Sequence, residues 1–306
     1  MSEHGLRMVL LGVLGLLGGV FAVVFLMGLR AVARAPQPAG ATRVKPSPAE
    51  LATGFVTVFF DTLGIGSFAT TTAIFRAGRL VPDEMIPGTL NVGHTIESVL
   101  SAFVFIEIVP VESVTLLSMI AAAALGAWIG SGVVARLPRH RIRLGMGVAL
   151  MIAAAMMSMT ALHLAPAGAD ALGLRGGALV FAVVCNFLLG SLMTLGIGLY
   201  APCMILVSLL GLTPTAAFPI MMGSCAGLMP MAAVRFVRTG RYQPSAALGL
   251  TLGGIPALFI AAYLVKSLPI AAVRWLVIVV VAYTAGTLIR AGLREIQRRV
   301  TTPLEA

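Results

Sequence analysis

TLGIG occurs twice in the chain, at residues 62–66 and again at 194–198, and each copy breaks an otherwise apolar stretch of membrane-spanning character. The copies lie 132 residues apart (62 to 194), and the same offset carries Phe55 onto Phe187, Ala69 onto Ala201, Leu80 onto Leu212, Pro82 onto Pro214 and Pro87 onto Pro219. After one residue of slippage, Leu137, Pro138 and Arg143 match Leu268, Pro269 and Arg274. The chain is an internal duplication. A Gly-interrupted hydrophobic segment at the same place in two halves of a membrane protein points to a substrate site near the bilayer midplane.

Composition sets the solvent. Of 306 residues, 59% are hydrophobic and only 10% charged, with a mean hydropathy of +1.02. That is too little polar surface to coat a soluble globule, so an all-α polytopic membrane protein is expected. The net charge of +10 sits in short clusters between apolar stretches rather than on one basic face, which argues for topology-setting charge and against nucleic acid as a partner. Cys185, Cys203 and Cys225 all fall inside apolar segments without metal-ligand spacing and read as small apolar side chains, with a pocket role left open for Cys203.

The first apolar run, 8–29, is longer than a signal-peptide core, and its heavier charge (Arg30, Arg34, Arg43, Lys45) follows it. A retained helix within 1–34, N-terminus outside, is expected. A Pro-rich linker, 35–48, follows, closed by Ser47, Pro48 and Glu50 in the pattern of a capping box with Pro at the first helical position. Apolar segments then run at 51–77, 86–109, 112–136, 140–163, 178–211, 214–236, 245–268 and 271–293.

Basic residues crowd 30–45, 76–79, 136–143, 235–241 and 290–299, whereas the connections at 107–112 and 210–214 carry none, 163–177 has Arg175 alone and 266–274 has Lys266 and Arg274. The positive-inside rule makes the first group cytoplasmic. Segment 51–77 then begins and ends inside, and 178–211 begins and ends outside, so each is drawn as a re-entrant hairpin with TLGIG at its tip. About ten residues after each tip span ~15 Å, half of a ~30 Å hydrocarbon core. The expectation is an N-terminal helix plus two inverted repeats (49–165 and 176–293), each one hairpin and three transmembrane helices, seven spans in all, with a basic cytoplasmic tail at 294–306. A layout of nine crossings, with each hairpin a single broken span, puts one basic set of connections outside.

The tips carry the chemistry. Two glycines in each LGIG permit positive φ and close approach of a ligand to the main chain, and a half-helix starting near Ser67 or Leu199 aims free N–H groups and the positive end of its dipole into the cavity. Two such ends face to face suit a small oxyanion. The expected substrate contacts are Thr62, Gly64, Gly66, Ser67 and Thr70 in the first half and Thr194, Gly196, Gly198, Tyr200 and Cys203 in the second. Asp61, Asn91, His94 and Glu97 are intramembrane polar or ionisable residues fit for proton or ion coupling, with His94 and Glu97 three apart on one helix face. The equivalents of Asn91, His94 and Glu97 in the second half are Gly223, Ala226 and Met229, so coupling belongs to one repeat. The sequence holds no nucleophile triad, HExxH, P-loop or metal cluster, and no enzyme activity, cofactor or metal is expected.

These motifs resemble the sulfite exporter TauE/SafE family (toluene sulfonate uptake permease family), over about 50–293. The carriers are Leu63-Gly64-Ile65-Gly66, Leu195-Gly196-Ile197-Gly198, the Leu-Gly-Gly-Ile-Pro run at 252–256 and the basic turn from Arg235 to Arg241 and Tyr242. In the family pattern two further glycines commonly follow; here Ser67-Phe68 and Leu199-Tyr200 stand there, and Pro202 follows only the second copy. The resemblance implies a bacterial inner-membrane transporter of sulfur-containing anions such as sulfite or sulfonates, by alternating access. A passive anion channel of the same fold and a membrane protein using the cavity for thiol or lipid chemistry are the alternative readings. The basic C-terminal end is expected to meet anionic lipid headgroups.

Overall fold

The structure, a computed structural model, describes residues 3–34, 44–134, 139–162, 171–193 and 199–301, and their regular structure is helical throughout. The helices are α1 (Glu3–Arg34), α2 (Pro48–Thr62), α3 (Ser67–Gly78), α4 (Ile86–Ile108), α5 (Ser113–Val134), α6 (Arg139–Ala161), α7 (Gly176–Met193), α8 (Tyr200–Leu209), α9 (Ala217–Thr239), α10 (Pro244–Ser267) and α11 (Ile270–Thr301), with a 3₁₀ turn at Pro214–Ala216 leading into α9. Large apolar side chains such as Leu16, Val180, Tyr263 and Val279 lie exposed on the outside, where a soluble protein places charge.

Among the described residues, six helices are long and apolar enough to cross a membrane: α1, α4, α7, α9, α10 and α11. This differs from the expected seven. Helices α5 and α6 have the length, at 22 and 23 residues, but their apolar stretches among the described residues are shorter. Helix α7, expected as one arm of a hairpin, is long enough at 18 residues to qualify by itself. Helix α11 runs on into the basic stretch 294–306, as far as Thr301.

The capping box forms as expected: the Ser47 hydroxyl accepts from Glu50 N–H, and the Glu50 carboxylate accepts from Ser47 N–H at 2.6 Å. Its other oxygen accepts from Ser245 Oγ at 3.0 Å, so the cap also ties the first turn of α2 to that of α10.

Packing is symmetric under exchange of the halves. Helix α2 packs on α10 as α7 packs on α5; α4 packs on α10 as α9 packs on α5; α4 meets α9, and α6 meets α11. The likeness extends to single hydrogen bonds at the ends of the two short helices. Leu80 N–H donates to Phe75 O as Leu212 N–H does to Val207 O, and Arg79 N–H to Arg76 O as Gly211 N–H does to Ser208 O, each at the 132-residue offset. Both Arg79 (φ 49°) and Gly211 (φ 86°) are left-handed there.

The helix ends sort into two sets. Around one end, Ser113 Oγ donates to Glu3 O, Arg7 to Val109 O and Glu112 N–H to Leu172 O, while Ala171 exchanges hydrogen bonds with Gly211 and Thr213. Around the other, Gln243 N–H donates to Thr89 Oγ1, Ser245 reaches Glu50, and Arg76 pairs with Asp83. The two sets coincide with the basic-poor and basic-rich connections.

Glycine lets the paired helices touch backbone to backbone, as small residues do where lipid leaves little hydrophobic force between helices. A Cβ on Gly253 would overlap Leu51 O, one on Gly126 would overlap Phe187 O, and one on Gly190 would overlap Ala123 O. Gly253→Leu is expected to lower the melting temperature in detergent and the yield of folded protein, since the obstacle is main chain and overpacking costs about 1–3 kcal/mol even where side chains can shift. Gly19→Leu, at an exposed position with nothing within 4 Å of a Cβ, is expected to leave both unchanged.

Candidate functional site

The first tip is built from the last turn of α2. Ile65 N–H donates to Phe60 O at 3.1 Å and Gly64 N–H to Asp61 O at 2.8 Å, the paired bonds of a Schellman motif with Gly64 (φ 96°) in the left-handed position. Gly66, at φ 87° and ψ 130°, then turns the chain into α3 and offers no side chain to cap it. The two glycines of LGIG therefore do different work: one stops α2, the other starts α3.

The missing cap comes from Asp61. A carboxylate in the last turn of its own helix sits at the unfavourable end of that dipole, but the tip folds the chain back so that the start of α3 faces it, and Asp61 Oδ1 accepts the Ser67 N–H. Asp61 Oδ2 accepts from the hydroxyl of Tyr200, 3.1 Å away on the first turn of α8. Met222 Sδ lies 3.2 Å from the same hydroxyl, but the carboxylate is the stronger acceptor. One carboxylate, 3% exposed, thus bridges the two halves.

Asp61, Gly66, Ser67 and Tyr200 line a small cavity of about 60 Å³ together with Met193, Ser98, Cys225, Met229 and Thr284. That is well above the ~10–15 Å³ a cavity needs to admit one water. Its walls are pseudo-symmetric in position and unlike in chemistry: at the 132-residue offset Asp61 answers to Met193, Ser67 to Leu199 and Phe68 to Tyr200, all six lining the cavity. Carboxylate and N–H on the first half face thioether and phenol on the second. The lining carries no Lys or Arg among the described residues.

Behind the cavity, on α4, lies a buried polar stripe. His94 Nε2 is 3.2 Å from Thr71 Oγ1 on α3, and its ring packs on Phe68 with centroids 6.0 Å apart. His94 Nδ1 approaches Glu97 Oε1 to 3.2 Å, yet outside hydrogen-bond geometry, so both Glu97 oxygens, His94 Nδ1 and the Ser101 hydroxyl have no hydrogen-bond partner. His94, Glu97 and Ser101 are all 0% exposed and recur at i, i+3 and i+7. Asp61 interacts electrostatically with both His94 and Glu97.

The expected site residues therefore divide. Asp61, Gly66, Ser67 and Tyr200 come together at the cavity, with His94 and Glu97 behind it. Gly64 instead faces the Met204 side chain. Thr62 donates to Val58 O at 2.8 Å and Thr70 to Ser67 O at 2.8 Å, so both hydroxyls are engaged by their own helices, as threonines in apolar helices often are. Asn91 is likewise turned onto Pro87 O at 2.9 Å and stands apart from the His94–Glu97 pair. Cys203 is 0% exposed in the apolar core, and Cys225 occupies the wall in its place. The second half-helix begins at Tyr200, one residue after the expected start. Thr194, Gly196 and Gly198 lie outside the described residues.

Met193 and Met229 carried a sequence signal, being the offset equivalents of Asp61 and Glu97. Ser101 also had one, on the face of His94 and Glu97. Thr284 on α11 had none. A second, larger cavity of about 500 Å³ opens at the α1 start, lined by Arg7, Glu112 and Arg175, where Arg175 pairs with Glu112 at 3.5 Å; it lies at one end of the bundle, away from the tips. Among the described residues no three His, Cys, Asp or Glu converge as metal ligands. Comparison with family models, curated proteins and solved structures finds no match.

Proposed function

We propose that the chain is a secondary transporter of small anions, sulfite and sulfonates first among them, built from two inverted repeats that alternate access to the cavity between their tips. The observation that carries the reading is the carboxylate oxygen seated on the first N–H of α3: the helix start takes an oxyanion group beside a cavity of about 60 Å³. The inner bacterial membrane is its place, N-terminus outside and C-terminus in the cytoplasm, and it has no catalytic step.

The inverted-repeat arrangement is supported by the exchange-symmetric packing and the matching terminal hydrogen bonds of α3 and α8. Re-entrant hairpins are supported by three facts. Helices α3 and α8, with 12 and 10 residues, reach only ~18 and ~15 Å at 1.5 Å per residue. Ala171, before α7, is hydrogen-bonded to Gly211 and Thr213, after α8. Glu50 at the start of α2 bonds Ser245, while Phe75 near the end of α3 packs with Ala246 and Leu250 on the same turns of α10.

The test is uptake of radiolabelled sulfite, methanesulfonate and acetate into proteoliposomes, with and without an imposed pH gradient. Accumulation of at least one, stimulated by the same anion on the far side, is expected. No flux of any anion through folded protein overturns the reading.

A further inference from the structure

Asp61 occupies the seat that a transported oxyanion would need. Its two oxygens consume the Ser67 N–H and the Tyr200 hydroxyl, which are the donors the cavity offers at that point, and an ionised carboxylate there repels a second anion. In a medium of low dielectric two like charges a few ångströms apart are not both tolerated.

We propose that Asp61 is a tethered stand-in for the substrate: the anion binds only when Asp61 takes a proton and yields the two donors, so that anion and proton move together. This rests on the anion-transport reading and adds how the same site is regulated. The proton comes from the aqueous phase open to the cavity and resides on a carboxylate oxygen; Ser67 N–H and Tyr200 O–H pass to the substrate oxygens. A monoanion then crosses with one proton and no net charge. When the anion leaves, Asp61 loses the proton and reoccupies the donors, which empties the seat and ties the two halves together again through Tyr200. The groups that act on Asp61 are Tyr200 on α8 and His94 and Glu97 on α4; Cys225 stands across the cavity on α9, and α11 contributes the uncharged Thr284.

The experiment is methanesulfonate exchange in proteoliposomes between pH 6 and 8, where this probe keeps a constant charge, with proton movement followed by an internal pH dye. Exchange by the unmodified protein is expected to fall as pH rises, approaching tenfold per unit once the carboxyl is mostly ionised. Asp61→Asn is expected to exchange at a rate that changes less than about twofold across the range, because a neutral side chain has no proton to lose, and to carry no protons. Tyr200→Phe, which removes one donor from the ionised carboxylate, moves the falling limb toward higher pH. If Asp61→Asn keeps the original slope and proton movement, the proposal is overturned; if that variant does not fold, an unmoved profile in Tyr200→Phe overturns it. Absence of exchange by the unmodified protein, with sulfite and acetate also inert, instead removes the transport reading itself.

Discussion

Glu97→Gln is expected to abolish accumulation driven by a pH gradient while leaving downhill exchange of the anion within about threefold of normal. The physical ground is the isolation of this carboxyl. Glu97 is 0% exposed, and neither oxygen has a hydrogen-bond partner of good geometry; His94 Nδ1 lies 3.2 Å from it. A buried ion without good partners costs several kcal/mol even after relaxation, so the site favours forms in which the pair as a whole is neutral. Both members interact electrostatically with Asp61, so their charge bears on how readily that carboxyl gains and releases its proton, and Glu97 lies off the cavity wall, so its loss does not remove a substrate contact. Gln keeps the shape and removes the titration. The checks are a pH-gradient uptake assay beside counterflow in the same vesicles, and a melting curve, which is expected not to fall because neither Glu97 oxygen has a hydrogen bond to lose. Equal loss of accumulation and counterflow would assign Glu97 to binding or folding instead.

Much of this arrangement was legible because duplication writes the same physics twice. The 132-residue offset located both tips before any helix was placed, and it also matched hydrogen bonds such as those of Leu80 and Leu212. The capping box at Ser47 and Glu50 was legible because its chemistry is local. What a helix face does with a hydroxyl was not: Thr62, Thr70 and Asn91 are placed near the tips by sequence, but each turns its polar group onto its own helix backbone, a competition that spacing does not resolve. The sequence marks Asp61 for coupling, yet its place as the cap of α3 depends on the reversal at Gly64 and Gly66, and its bond to the other half on Tyr200, 139 residues away. The span count differs at α5 and α6, whose apolar stretches among the described residues are shorter, and at α7, which ends at Met193 with enough length to qualify alone.

The two glycines of the first tip should fail in different ways when substituted, and the difference tests whether the tip is the site. At Gly64 a Cβ would meet Met204 Cε at 2.5 Å in addition to the cost of φ 96°; at Gly66 it meets nothing within 4 Å, so only the backbone at φ 87° and ψ 130° objects. A residue with a side chain held in such a region costs about 1–3 kcal/mol, and every 1.4 kcal/mol taken from the binding-competent tip is about tenfold in rate. Gly64→Ala and Gly66→Ala are each expected to reduce exchange at least about fivefold while the bundle still assembles, because neither Cβ strikes the main chain of a neighbouring helix. Met204→Ala should return part of the activity to Gly64→Ala, since it removes the steric share of the penalty, and return none to Gly66→Ala, whose penalty has no side-chain partner. Equal rescue of both, or no rescue of either, in exchange rates measured at equal amounts of folded protein would mean that the conformation of the tip is not what the anion reads.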